Sequence, residues 1–238
     1  MEDQNKLVST SSVKVIIPAF NEADAIGNVI DDIPAFVSEI IVVDNGSTDD
    51  TFKVAKVAGA TVLKEHRKGY GYACLKGMEY LESQSLKPYI VVFLDGDYSD
   101  YPEELSNVIV PIVKYDIDFV IGSRNNSSRE KGSMTPQQVF GNWLATTLMS
   151  LFFSAKFTDL GPFRAIKYSK LLDLQMQDKT YGWTVEMQLK VLRNKMTYTE
   201  VPVRYRNRIG VSKVSGTLKG TIMAGYKILI WIFRYSIK

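Results

Sequence analysis

The 238-residue chain is 45% apolar and 23% charged, which excludes wholesale disorder and fits one large globular domain. Its single cysteine, Cys74, excludes an intrachain disulfide and makes a reducing compartment the default, and its single histidine, His66, disfavours histidine-based metal sites and triads. The net charge of +3 is uneven: beyond Glu200 eight Lys and Arg residues stand with no acid, leaving −5 on residues 1–200 and a C-terminal segment that prefers an anionic partner.

Residues 1–12 are polar, carry no targeting signal and are expected to form a flexible tail. Val13 to Ile17 predicts a first strand, stopped by Pro18, and Ala19 to Glu22 a loop. Ile26, Val29, Ile30 and Ile33 follow at helical spacing. Glu39 to Val43 predicts a second strand that runs into Asp44-Asn45-Gly46-Ser47-Thr48-Asp49, where Gly46 permits a tight turn and Ser47 or Thr48 caps a helix from about Asp50 to Ala58. Ala60 to Lys64 is a third strand, and Lys68-Gly69-Tyr70-Gly71 opens a helix to Gln84.

Tyr89 to Leu94 is a β-branched apolar run and predicts a buried fourth strand, whose carboxyl end opens into Asp95-Gly96-Asp97. Ligands of open α/β sheets bind outside the carboxyl ends of the strands, so two acids there can hold a divalent cation that neutralises a diphosphate. A helix from Pro102 to Lys114 and a strand from Asp118 to Ile121 repeat the alternation. Strand and helix in turn predict parallel βαβ units with right-handed crossovers and a sheet covered on both faces.

After Gly122 the regularity ends. Ser123 to Pro136 is a long polar loop of the kind that serves as a lid, followed by a helix from Gln137 to Ala155. Phe163 to Ile166 and Thr197 to Val203 predict short strands, Trp183 to Arg193 a helix, and Thr217 to Ile237 a basic amphipathic helix. No stretch reaches the length of a membrane span. Trp143 to Ala155 suits a core helix or an interfacial one, and the C-terminal helix, with Trp231, Phe233 and Tyr235, suits an anionic membrane surface, a docked helix being the alternative.

The ordered motifs Pro18 to Glu22, Asp44 to Asp49, Asp95-Gly96-Asp97 and Gly122-Ser123-Arg124 resemble those of family 2 glycosyltransferases. The later runs Asp159 to Arg164, Trp183 to Met187 and Arg204-Tyr205-Arg206 to Ser212-Lys213 resemble the branch that holds the polyprenyl- and dolichyl-phosphate mannose and glucose synthases. The resemblance spans about residues 13–216 and implies a GT-A fold: an α/β domain with a mostly parallel central sheet flanked by helices, here with the appended helix 217–238. It further implies a nucleotide-diphosphate sugar donor, UDP- or GDP-linked, a Mg2+ or Mn2+ cofactor and inversion at the anomeric carbon.

On this resemblance Asp97 ligates the metal and Asp95 contacts metal or ribose. Pro18, Ala19, Asn21 and Glu22 frame base and ribose, Asp44 accepts from the base beside Gly46, and Lys68, Gly69 and Gly96 border the nucleotide sugar. Arg124, at a strand exit, grips phosphate and counts with Asp97 and Glu186 as catalytic, while Arg206, Arg208 and Lys213 form a cationic loop that closes on phosphates. The resulting expectation is transfer of a hexose to a polyprenyl-phosphate acceptor by a protein peripheral to the cytoplasmic face of the cell membrane, with no nucleic acid partner. The alternative within the enzyme class is a hydroxyl acceptor of a saccharide or lipid, with Glu186 as general base. A non-catalytic nucleotide- or nucleic-acid-binding module is the alternative outside it.

Overall fold

The computed structural model describes residues 12–124, 127, 129–210 and 218–236. Seven strands form one sheet: β1 (Val13–Ala19), β2 (Val37–Asp44), β3 (Thr61–Lys64), β4 (Ile90–Phe93), β5 (Phe119–Ser123), β6 (Arg164–Lys167) and β7 (Tyr198–Pro202), in the order β3-β2-β1-β4-β6-β5-β7. All neighbouring pairs are parallel except those of β6, which runs antiparallel between β4 and β5. The sheet is therefore mostly parallel, as expected: the βαβ alternation runs through β5, and β6 is inserted antiparallel between β4 and β5 from a later part of the chain.

Successive residues of these strands enter opposite layers, because side chains alternate across a pleated strand. Ile16, Val43, Val91, Phe93, Phe119 and Ile121 pack under α3 (Tyr70–Ser83), α5 (Pro136–Phe153), α6 (Tyr168–Leu174), α7 (Trp183–Arg193) and α8 (Leu218–Ser236). Val15, Ile17, Val42, Val92, Val120 and Ala165 pack under α1 (Ile26–Asp31), α2 (Thr51–Val57) and α4 (Leu105–Tyr115). Burial on both faces explains why the strands are unbroken apolar runs rather than alternating ones.

Three local expectations change. β1 does not stop at Pro18 but continues to Ala19. Ile16 turns its carbonyl to β4, taking the Leu94 N–H at 3.2 Å, and Pro18, two residues on, faces the same side after β4 has ended at Phe93, so no ladder donor is lost. α2 is not capped by Ser47 or Thr48: Asp49 Oδ1 takes the Thr51 N–H at 3.0 Å, and Ser47 Oγ instead accepts from Asn21 N at 2.9 Å. The helix α6 adds to the expected elements; its buried Tyr168, Leu171 and Leu174 span under two turns, too short a run to make a period.

The C-terminal helix takes the docked alternative on one face. Trp231 and Ile232 are buried in the core and Tyr235 is half-buried, while Tyr226, Ile230 and Phe233 are exposed. No helix among the described residues is long and apolar enough to cross a membrane.

Candidate active site

Parallel strands deliver their carboxyl ends to one edge of the sheet, and there the sequence has placed its polar residues. Asp44 ends β2, Asp95 and Asp97 follow β4, and Arg124 follows β5. At this edge lies a pocket of about 260 Å³, lined by Pro18, Ala19, Glu22, Lys68, Gly69, Asp95, Gly96 and Asp97, all expected there, together with Phe20, Asn45, Tyr70, Tyr181 and Arg208. Asn21, Asp44 and Gly46 stand behind this lining rather than in it. Asp44 Oδ1 accepts from Ser47 N at 2.8 Å, Gly46 takes a positive φ of 74°, and Asn21 Oδ1 accepts from Thr48 N at 2.8 Å, so the three build the turn.

The turn presents Asn45, a residue the sequence reading left without a role. Its Nδ2 donates to Glu65 O and Arg67 O, and its Oδ1 accepts the Gly69 N–H at 2.8 Å. The Gly69 amide is therefore occupied, and the glycines here serve close approach of backbones. A Cβ on Gly69 would lie 2.2 Å from Lys179 O, and one on Gly71 2.1 Å from Asp178 O. Lys68 Nζ reaches Asn45 O and Gly46 O and lies 3.8 Å from the centre of the Phe20 ring.

Asp97 Oδ1 accepts from Ser99 N at 2.9 Å and Ser99 Oγ at 2.5 Å. Burial, and then the charge of Asp97, push the Asp95 carboxyl up to about 7, against a hydrogen bond from Tyr70 Oη at 3.0 Å. Among the described residues no cluster of three or more Asp, Glu, His or Cys converges as a metal cage. Asp95 and Asp97, which both line the pocket, fit a Mg2+- or Mn2+-type ion, which keeps water and takes its remaining ligands from phosphate.

The cations behave unequally. Arg124 is buried, with its fork on Asp159 at 2.9 and 2.7 Å, and its own N–H also bonds Asp159 Oδ2 at 2.7 Å. Despite burial, this pairing holds the Asp159 carboxyl below its usual range. Arg206 is engaged by aromatic rings and backbone carbonyls outside the lining of the pocket and of the cavity beside it. Its guanidinium lies 3.4 Å from the centre of the Tyr98 ring and 4.1 Å from that of Tyr101, and donates to Tyr98 O and Asp100 O. Arg208 points into the pocket, 2.9 Å from Asp97 Oδ2 and 2.8 Å from Glu22 Oε1. Lys213 lies outside the described residues.

Glu186 lies apart from both cavities. Its side chain is fully buried and lines neither the donor pocket nor the cavity beside it. Its carboxylate accepts from Gln177 N and from Asp178 N at 2.7 Å and pairs with Lys190 Nζ at 2.8 Å, so it fastens the 177–178 loop to α7 and is not presented as a base.

A second cavity of about 530 Å³ shares Tyr70, Asp95, Asp97, Tyr181 and Arg208 with the donor pocket and runs from them between α5 and α8. Its far walls are apolar: Phe140, Leu144, Ala145, Leu160, Ile228 and Leu229. Asp95 and Asp97 are its only carboxylates among the described residues.

The model of the family described as "Glycosyl transferase family 2" matches residues 14–175, more than half of the chain. The protein is a family 2 glycosyltransferase. An uncharacterized glycosyltransferase of Mycobacterium tuberculosis is 33% identical over 221 residues, covering 90% of this chain and 94% of the relative. The dolichyl-phosphate hexose transferase of Haloferax volcanii is 29% identical, covering 84% and 85%. The UDP-N-acetylglucosamine–dolichyl-phosphate N-acetylglucosaminyltransferase of Methanococcus voltae is 28% identical, covering 91% and 92%. Among solved structures, the glucosyl-3-phosphoglycerate synthase of Mycobacterium tuberculosis, in complex with Mn2+, UDP and phosphoglyceric acid, superposes with a TM-score of 0.77 at 20% identity, over 99% of this chain and 82% of that one. That likeness establishes the GT-A fold of this glycosyltransferase.

Proposed function

We propose that this glycosyltransferase moves a hexose from a nucleotide-diphosphate sugar to the phosphate of a polyprenyl- or dolichyl-type lipid, with inversion. The observation that carries the reading is the junction of the two cavities at Asp95, Asp97 and Arg208, one side lined by Glu22, Asn45 and Lys68, the other a groove with a charged head and apolar walls. An amphiphile with an anionic head fits such a groove, because its chain leaves water while its phosphate meets cations. The names of the Haloferax and Methanococcus relatives point the same way.

In the reaction an oxygen of the lipid phosphate attacks the anomeric carbon from the face opposite the donor diphosphate, and the carbon–oxygen bond to that diphosphate breaks, its electron pair leaving with the nucleotide. The acceptor is already an anion at neutral pH and needs no base. This agrees with a groove whose only acids among the described residues are Asp95 and Asp97, and with a Glu186 whose carboxylate is engaged by loop amides and Lys190. Asp95 and Asp97 would hold the Mg2+ or Mn2+, which supplies positive charge to the departing diphosphate. Arg208 shares that load, and Arg124, its fork held by Asp159, lines the groove beside it.

The groove opens beside an exposed apolar surface. Phe140, Trp143, Leu151 and Phe152 of α5 and Tyr226, Ile230 and Phe233 of α8 face solvent, with Arg234 among them. Phe152 and Phe233 join the two helices ring to ring at 5.8 Å. Such a face suits the acidic cytoplasmic surface of a membrane, where a lipid acceptor resides.

The test is transfer from UDP- and GDP-hexoses, with Mn2+, to a short polyprenyl phosphate and to the matching polyprenol. Product on the phosphate alone is expected. Product on the alcohol and none on the phosphate would sink the proposal.

A further inference from the structure

Arg208 is where the expected cation would be. Its Nη1 lies 2.9 Å from Asp97 Oδ2 and its Nη2 2.8 Å from Glu22 Oε1, so one guanidinium neutralises the two acids that flank the donor pocket. A metal that ligates Asp97 through this oxygen must take a lone pair now given to Arg208, and two cations on one carboxylate repel.

The backbone that carries Arg208 is strapped down. Arg206 N donates to Ser99 O at 2.9 Å, Ile209 N to Asp97 O at 3.0 Å, and the Arg206 side chain is stacked on Tyr98 and Tyr101. The side chain is held less completely. Its Nε is buried with no acceptor among the described residues, so its hydrogen bonding is unfinished where it lies. A diphosphate offers what is missing: several anionic oxygens in the geometry that a guanidinium prefers.

We infer that Arg208 is the resident counter-cation of the donor site and is exchanged from Asp97 and Glu22 to the incoming diphosphate, so that the protein takes its divalent cation together with a nucleoside diphosphate rather than alone. The inference rests on the proposed donor and deepens it. With Asp97 already paired to a guanidinium, the free ion binds weakly. The diphosphate draws Arg208 away and adds ligands of its own. Because coupling is reciprocal, the metal must strengthen nucleotide binding by the same factor.

The experiment is a Mn2+ titration of the full chain followed by electron paramagnetic resonance of the free ion, with and without UDP or GDP, in wild type, Arg208→Ala and Arg208→Gln. In wild type the nucleotide should tighten Mn2+ binding about tenfold or more. In both variants Mn2+ alone should bind about tenfold tighter than in wild type, and the nucleotide should add less than about threefold. Unchanged affinity for Mn2+ alone and unchanged coupling in Arg208→Gln, with a native circular dichroism spectrum, would overturn the inference. If neither nucleotide bound to wild type with Mn2+ present, the donor reading itself would fail, while a tightening of Mn2+ alone in the variants would still uphold Arg208 as counter-cation.

Discussion

Trp231 of α8 donates its indole N–H to Asp178 Oδ2 at 2.8 Å, and Asp178 Oδ1 accepts from Thr180 N at 2.7 Å and Gly182 N at 3.0 Å. One buried carboxylate thus ties the C-terminal helix to the loop that carries Tyr181 into both cavities. Trp231→Phe keeps a ring and removes the donor, and hydrogen bonds to charged groups are worth about 1.5–3 kcal/mol, so a loss of that size is expected in urea unfolding. Tyr226→Ala, on the exposed face of the same helix, should change stability by less than about 0.5 kcal/mol.

Glu186→Gln separates a structural acid from a catalytic one. Removing one partner of a buried ion pair leaves the Lys190 charge uncompensated, and stability should fall by about 3 kcal/mol. Turnover per folded molecule should stay within about tenfold of wild type, against the 10²–10⁴-fold loss that removal of a general base produces. Steady-state kinetics normalised to the folded fraction decides the matter.

Gly71 and Gly141 predict opposite signs for the same substitution. A Cβ at Gly71 would meet the Asp178 carbonyl at 2.1 Å, a backbone atom that cannot rotate away, so Gly71→Ala should destabilise by about 1–3 kcal/mol and weaken nucleotide binding. Gly141 lies inside α5 with nothing within 4 Å of the added atom, and Gly141→Ala should stabilise by about 0.5–1 kcal/mol through helix propensity. Thermal melts of the two variants, with and without nucleotide, report both effects.

The Asp95 carboxyl, raised from 3.8 to about 7, links stability to pH in the cation-free protein. An acid whose folded pKa is raised binds its proton more tightly in the native state, so stability rises as pH falls from 8 through 7 and on towards 4. Asp100, buried with both oxygens unpartnered among the described residues and raised mainly by burial, acts in the same sense. Wild type should therefore melt higher at pH 6 than at pH 8. Asp95→Asn should reduce that slope and melt above wild type at pH 8 without metal, and an unaltered slope would contradict the burial of this charge. At the acid end Asp159, held low by Arg124, works the other way, and its contribution is lost as pH falls below 3.8.

Arg124 and Glu186 mark the limit of what spacing conveys. Arg124 was legible as a cation at a strand exit, and Glu186 as an acid on a helix beside Trp183. Neither Asp159, 35 residues from Arg124, nor the loop amides that engage Glu186 have any periodic relation to them. A charged side chain looks the same in sequence whether it meets substrate or a buried partner. Arg206 illustrates the same point: its aromatic neighbours Tyr98 and Tyr101 precede it by about a hundred residues.

By itself the sequence determined the α/β class, the apolar runs that become β1 to β5, and the acids at their carboxyl ends, since burial on both faces imposes unbroken apolar strands and turn chemistry follows where they end. It also carried the ordered motifs by which the family is known. Only the tertiary structure decided that β6 enters antiparallel between β4 and β5, that the Glu186 carboxylate meets Lys190 and the amides of residues 177–178, and that Arg208 alone among the described basic residues after β7 bridges Glu22 and Asp97. The physical reason is that periodicity records how a residue meets the core, whereas strand direction and ionic partnership depend on which distant segments pack together.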